Sequence, residues 1–240
     1  MAKEDGEWIM HGRELDDPLC IRSVDELIAH INKVGFLPLF ANAISGFSVE
    51  ECTYGPAWWS GVTEDDPWEW REIISRSGKV AYGKFFGKKS GFISLDWFPV
   101  FANYRRDGYD FDARWDDGLA NYRLKKIMDC FEKKDEYISY LLKEEAGFGK
   151  GGEKNFDGII AELQMQTYLV MKDFRKKTNK QGMEYGWSLA VYAMPETLWG
   201  YDFVTSCYQE EPELSKEKII KHMQGLYPNA TYQQLLRVLK

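Results

Sequence analysis

Apolar positions along the chain recur at helical spacing in some segments and alternate in others. Ser23-Val24-Asp25-Glu26 has the form of a capping box, the serine accepting from an amide of the first turn and Glu26 reaching back. Leu27, Ile28, Ile31 and Val34 follow at helical spacing, and Gly35 ends the run. An apolar patch, Phe36-Leu37-Pro38-Leu39-Phe40, leads into loop-rich sequence through Gly61. Asp66-Pro67 predicts a second helix start, with Asp as the cap and Pro in the first helical position; Trp68, Trp70, Ile73 and Ile74 supply its apolar positions. Lys79 to Phe86 and Gly91 to Leu95 read as strands around Gly87-Lys88-Lys89-Ser90, a hairpin with a basic tip. Residues 1–20 are polar and broken by Asp16-Asp17-Pro18, and are expected to be irregular. Residues 104–118 are charged and punctuated by glycine, which suggests a boundary near Gly118.

Beyond that boundary, Leu119 to Phe131 has helical apolar spacing, Tyr137 to Glu145 makes a shorter helix, and Phe156 to Met165 a third. Thr167 to Phe174 then turns β-rich, and a polar turn over 176–182 leads into a strand from Tyr185 to Ala193. Three helices followed by a hairpin with a long basic loop is the order of a winged helix-turn-helix. Two helices close the chain, one over about 215–226 and one capped by Thr231 with Gln234 three residues on. The expected class is therefore α+β, with winged helix-turn-helix units in tandem and C-terminal helices. The expected domains are a Trp-rich, winged-helix-like one over 1–118, a winged helix over 119–212 and a helical segment over 213–240.

Composition narrows the function. A length of 240 residues, 44% hydrophobic and 29% charged, suits a folded globular chain. The net charge of −7 argues against a protein that coats nucleic acid with a uniformly basic surface. That charge is unevenly spread: residues 1–72 hold 15 acidic and 5 basic side chains, whereas 73–240 hold 23 and 26. No window reaches the apolar length of a membrane span, and the acidic N-terminus lacks signal-peptide character, so a cytosolic protein is expected. The four cysteines (Cys20, Cys52, Cys130, Cys207) form no C-x-x-C pair and the three histidines no metal-binding motif; no metal or cofactor is expected.

Several motifs carry a sharp and a plain meaning. Gly147, Gly149 and Gly152 match G-x-G-x-x-G, but a helix precedes them where a dinucleotide site needs a strand, so an interhelical loop is the reading. Asp107, Asp110, Asp112, Asp116 and Asp117 fail the EF-hand pattern, because Trp115 stands where glycine is needed and Asn121 where glutamate is. Trp58-Trp59 and Trp68-x-Trp70 could stack on sugars or bases, but suit a core better. The most informative stretch is 172–180, where Lys172, Arg175, Lys176, Lys177 and Lys180 against Asp173 give +4. A hairpin tip carrying them could run along the phosphates of double-stranded DNA, and Lys84, Lys88 and Lys89 form a second basic tip; the plain alternative is a solvated turn.

These residues carry a resemblance. Phe156 to Trp199, closing on Tyr192-Ala193-Met194-Pro195-Glu196, resembles the winged-helix segment and Tyr-x-x-Pro-Glu motif of the AlkZ/YcaQ-like DNA glycosylases, bacterial enzymes that unhook alkylated bases and interstrand crosslinks. Lys79 to Pro99 is similar to that family's strand pair and following proline, and Ser23 to Phe40 to its first helix and turn. The resemblance implies a DNA-repair function and a winged-helix fold. It also implies a catalytic Gln-x-Asp or Gln-x-Gln just after the early turn, where this chain has Pro38 and Phe40. Neither residue can orient water or stabilise a glycosyl cation, so the standard motif is expected to be lost. A Gln-x-Gln occurs later, at Gln164 and Gln166, and offers weak catalytic candidates or amides for base edges. The expectation is a DNA-binding relative of the glycosylases; the alternatives are an active, divergent glycosylase and a ligand-binding or interaction protein on the same scaffold.

Overall fold

The computed structural model describes residues 2–4, 7–179 and 181–240, with the backbone alone at 2–4, 7 and 8. Strand β1 (Ala2–Glu4) pairs antiparallel with β2 (Glu7–Ile9). Bridges from Arg13 to Tyr54 and from Ile21 to Thr53 follow, so the lead-in is tied down by backbone pairing and is not wholly irregular. Helix α1 (Val24–Val34) starts where expected: Ser23 Oγ accepts the Glu26 amide at 3.2 Å. Glu26 reaches back one residue beyond the cap, accepting the Arg22 amide at 2.8 Å. Its buried stripe is Leu27, Ile28, Ile31 and Val34, the four positions the periodicity picks out.

The apolar patch after α1 forms strand β3 (Phe36–Pro38), and a short helix α2 (Val49–Cys52) follows. Helix α3 (Pro67–Ser77) is capped by Asp66, whose carboxylate accepts the amides of Trp68 at 2.8 Å and Trp59 at 3.0 Å. Strands β4 (Val80–Phe86) and β5 (Lys89–Ser94) make the first hairpin. Its two turn residues, Gly87 and Lys88, have φ of 59° and 61°, the geometry of a type I′ turn, which matches the twist of the strands it joins.

The charged stretch then departs from expectation, because much of it is helix: α4 (Phe98–Arg106) and α5 (Phe111–Asp116). Next come α6 (Tyr122–Met128), a strand β6 (Glu136–Ile138), α7 (Ser139–Glu145) and α8 (Phe156–Met165). The second hairpin joins β7 (Val170–Thr178) to β8 (Glu184–Ala193). Short helices α9 (Pro195–Trp199) and α10 (Tyr201–Val204) precede α11 (Pro212–Leu226) and α12 (Tyr232–Leu239). The last helix carries a complete capping box: Thr231 accepts the Gln234 amide while the Gln234 side chain accepts the Thr231 amide.

The chain is thus α+β, with small antiparallel sheets. It divides into two compact units, residues up to Phe98 together with Lys216–Lys240, and Pro99–Ser215. The first unit holds a sheet of order β3-β5-β4, covered on both faces, with Phe36, Leu37, Phe85 and Phe92 all buried. The second holds a sheet of order β6-β8-β7 and buries Leu142, Leu163, Leu169 and Val191. Each sheet uses the same plan, in which a three-residue strand pairs with the second strand of a later hairpin and leaves that strand in the middle. Burying each large apolar side chain contributes about 1.5–3 kcal/mol. Among the described residues no helix is long and apolar enough to cross a membrane.

Candidate nucleic-acid interface

The basic stretch lies along strand β7 rather than at a turn. Pairing of Lys177 with Tyr185 and of Thr178 with Glu184 carries the ladder through residues expected to be loop. This placement sorts the cations. Lys172 Nζ lies 2.5 Å from Glu136 Oε2, and Arg175 bonds Glu136 at 2.6 Å and Asp173 at 2.9 Å. Glu136 stands on β6, far away in sequence, and reaches these cations because β6 and β7 share β8 as a neighbour. The Lys172 ammonium, then the Arg175 guanidinium, hold the Glu136 carboxyl below its ordinary range. Lys176 is exposed, and Lys177 is half-buried with its ammonium 4.9 Å from the Tyr140 ring centroid. Lys180 lies outside the described residues.

The second basic tip is arranged as expected, with Lys88 and Lys89 exposed at the β4–β5 turn and Lys84 half-buried within β4. Lys89 and Arg237 bring positive charge to a cavity of about 430 Å³ in the first unit. Pro38 and Phe40 line the same cavity, together with Asn42 and Phe86. Asn42 is committed to its own loop, donating to the Phe47 carbonyl at 2.6 Å and accepting the Ile44 amide at 2.9 Å. No carboxylate side chain lines the cavity among the described residues, so it offers cations and apolar surface but no evident general base.

Other predicted residues take interior roles. Gln164 is fully buried and donates to the Ile160 carbonyl at 3.0 Å. Gln166 caps the end of α8, its Oε1 buried without a hydrogen-bond partner. The helix preceding the hairpin is largely core, and its more accessible positions include the acidic Asp157 and Glu162. Arg105 is half-buried and Arg106 fully buried, and desolvation pushes Arg105 down to about 10. Arg106 bonds Glu196 Oε1 at 2.5 Å, Tyr208 Oη at 3.2 Å and the Thr167 carbonyl at 2.8 Å, with its guanidinium 4.6 Å from the Tyr168 ring centroid. The glutamate of Tyr-x-x-Pro-Glu is therefore the counter-ion of a buried arginine. Nothing in the sequence pairs these two, because they are 90 residues apart.

The remaining motifs are structural. Trp58 and Trp70 are buried, and Phe40, Trp58, Trp59 and Trp68 pack on one another at centroid distances of 5.7–6.4 Å. The glycines of 147–152 form a turn between α7 and α8. Among the described residues no three His, Cys, Asp or Glu side chains are grouped to hold a metal ion.

The geometry thus describes an α+β chain whose exposed hairpins carry basic residues and whose Pro-Glu motif anchors a buried arginine. The family described as AlkZ related matches residues 21–240, and the chain belongs to that family. The relation to DNA-repair glycosylases read from Ser23 to Trp199 thereby extends through the C-terminal helices. No curated protein and no solved structure matches the chain.

Proposed function

We propose that this chain is a tandem winged-helix protein that binds double-stranded DNA by its hairpins and lacks the standard catalytic glutamines of its relatives. The shared plan of the two sheets supports the winged-helix reading, since helix, short strand, helices and hairpin with strand order 1-3-2 is the layout of that motif. The observation that carries DNA binding is the charge left on β7: with Lys172 and Arg175 neutralised in place, Lys176 and Lys177 remain to meet phosphates. Phosphate contacts position a protein on a duplex without reading its sequence. Loss of the catalytic motif is supported by the cavity at Pro38 and Phe40, whose described lining has no carboxylate and whose one amide side chain, Asn42, is engaged in its own loop.

Duplex affinity measured across a salt series for wild type and the Lys176→Glu/Lys177→Glu variant tests the binding. Each phosphate contact contributes a slope of about −0.9 in log affinity against log salt, so the variant should bind more weakly, with a slope shallower by roughly 2. An unchanged affinity, or a flat slope for wild type, would rule the hairpin out as a phosphate clamp.

A further inference from the structure

The β7–β8 hairpin contains a feature that phosphate contact does not use. Arg175 pairs with Leu189 and Lys177 with Tyr185, so Gly186, Trp187 and Ser188 together face the single residue Lys176. This bulge interrupts the alternation of β8, and Gly186 makes it possible with a φ of +76°. Bulges re-aim side chains, and here the chain turns Trp187 out until it is 89% exposed. Tyr185 on the same strand and Met183 just before it are 52% and 60% exposed. A tryptophan placed in water forgoes the burial that aromatic rings normally gain, which is the signature of a surface that acquires a partner.

The charges beside it select among partners. Lys176 faces the bulge, Lys177 pairs with Tyr185, and Glu184 is the nearest acid on the outer hairpin. Cations interleaved with exposed aromatic faces suit a polyanion that also offers flat rings, and single bases meet that description. An intact duplex hides both faces of each base and costs a few kcal/mol to unstack, whereas a break in the stack leaves one face open. We propose that Trp187 is a stacking residue that the β8 bulge presents to a nucleobase exposed at an interruption of the duplex, while Lys176 and Lys177 hold the flanking phosphates. The proposal rests on duplex binding by the same hairpin.

The test compares wild type, Trp187→Ala and Trp187→Phe on an intact duplex and on the same duplex carrying a one-nucleotide gap. Wild type should prefer the gapped duplex. Trp187→Ala should weaken gapped binding by about 5- to 150-fold, the range of one base–aromatic stack, and leave intact-duplex affinity within about twofold. Trp187→Phe should keep most of the preference. Because the side chain packs on so little, circular dichroism should be unchanged in both variants. Wild type without preference for the gap, or Trp187→Ala within about twofold of wild type on the gapped duplex, overturns the stacking proposal while leaving salt-dependent duplex binding standing. Absence of salt-dependent binding to either duplex by wild type overturns the duplex-binding function itself, and stacking with it.

Discussion

Arg106 shows how one side chain can invert the meaning of its neighbourhood. In a charged, glycine-punctuated stretch it has the look of a solvated cation, yet its side chain is 1% exposed and every contact it makes is internal. Removing a guanidinium from water is expensive, and only an ion pair with further hydrogen bonds offsets it. Glu196, Tyr208 and Thr167 supply those bonds. Arg106→Ala should therefore destabilise the protein by about 3–5 kcal/mol in urea denaturation, because Glu196 would stay largely buried without its counter-ion. Replacing both partners with methionine should cost much less. If the double variant were as unstable as the single one, the network would owe its stability to packing rather than to charge compensation.

At the level of elements, the β7–β8 hairpin is tuned by a strand of three residues. By binding Lys172 and Arg175, Glu136 lowers the charge that β7 presents to solution. Its carboxyl is depressed, so its contribution to stability is present above the ordinary value of 4.5 and is lost as pH falls through the lower folded value. The group is about a third exposed, and solvent screening keeps that contribution small. Thermal melts of wild type between about pH 5 and pH 3 should show a loss that Glu136→Gln does not share. The same substitution frees Lys172 and leaves Arg175 only Asp173, so duplex affinity should rise and the salt slope steepen by about 1–2. A slope that stays put would mean these cations do not face phosphate even when released.

For the whole molecule, membership of the AlkZ-related family and the geometry at the place where the resemblance puts the catalytic motif pull in different directions. Glycosyl cleavage needs a group that orients water and a means of stabilising cationic charge. The cavity beside Pro38 carries Lys89 and Arg237, whose charges would oppose a developing cation. Gln164 already serves the backbone of its own helix. Incubation with duplex DNA treated with a methylating agent should release no base above the protein-free background. Release that disappears on Gln166→Ala would restore an active enzyme to first place.

Much of this protein was legible in its order of residues, and the legible part is local. The caps at Ser23, Asp66 and Thr231, the stripe of α1 and the first hairpin depend on residues within a few positions of one another and formed where the pattern placed them, while the second hairpin formed with β7 running on into residues expected to be its turn. The family signal was legible for a similar reason, being carried by short motifs in a fixed order. Strands β3 and β6 were missed because three residues are too few for an alternation, and their partners, Ile93 for Phe36 and Ala193 for Glu136, lie far along the chain. The tertiary structure alone decided the electrostatics. It brought Glu136 to Lys172 and Glu196 to Arg106, pairs 36 and 90 residues apart, so that Lys172 and Arg175 in the run of positive charge are neutralised, Arg106 is buried, and Lys176 faces water. Local sequence sets which backbone shapes are cheap, but the partner and solvent exposure of a charge are properties of the folded packing.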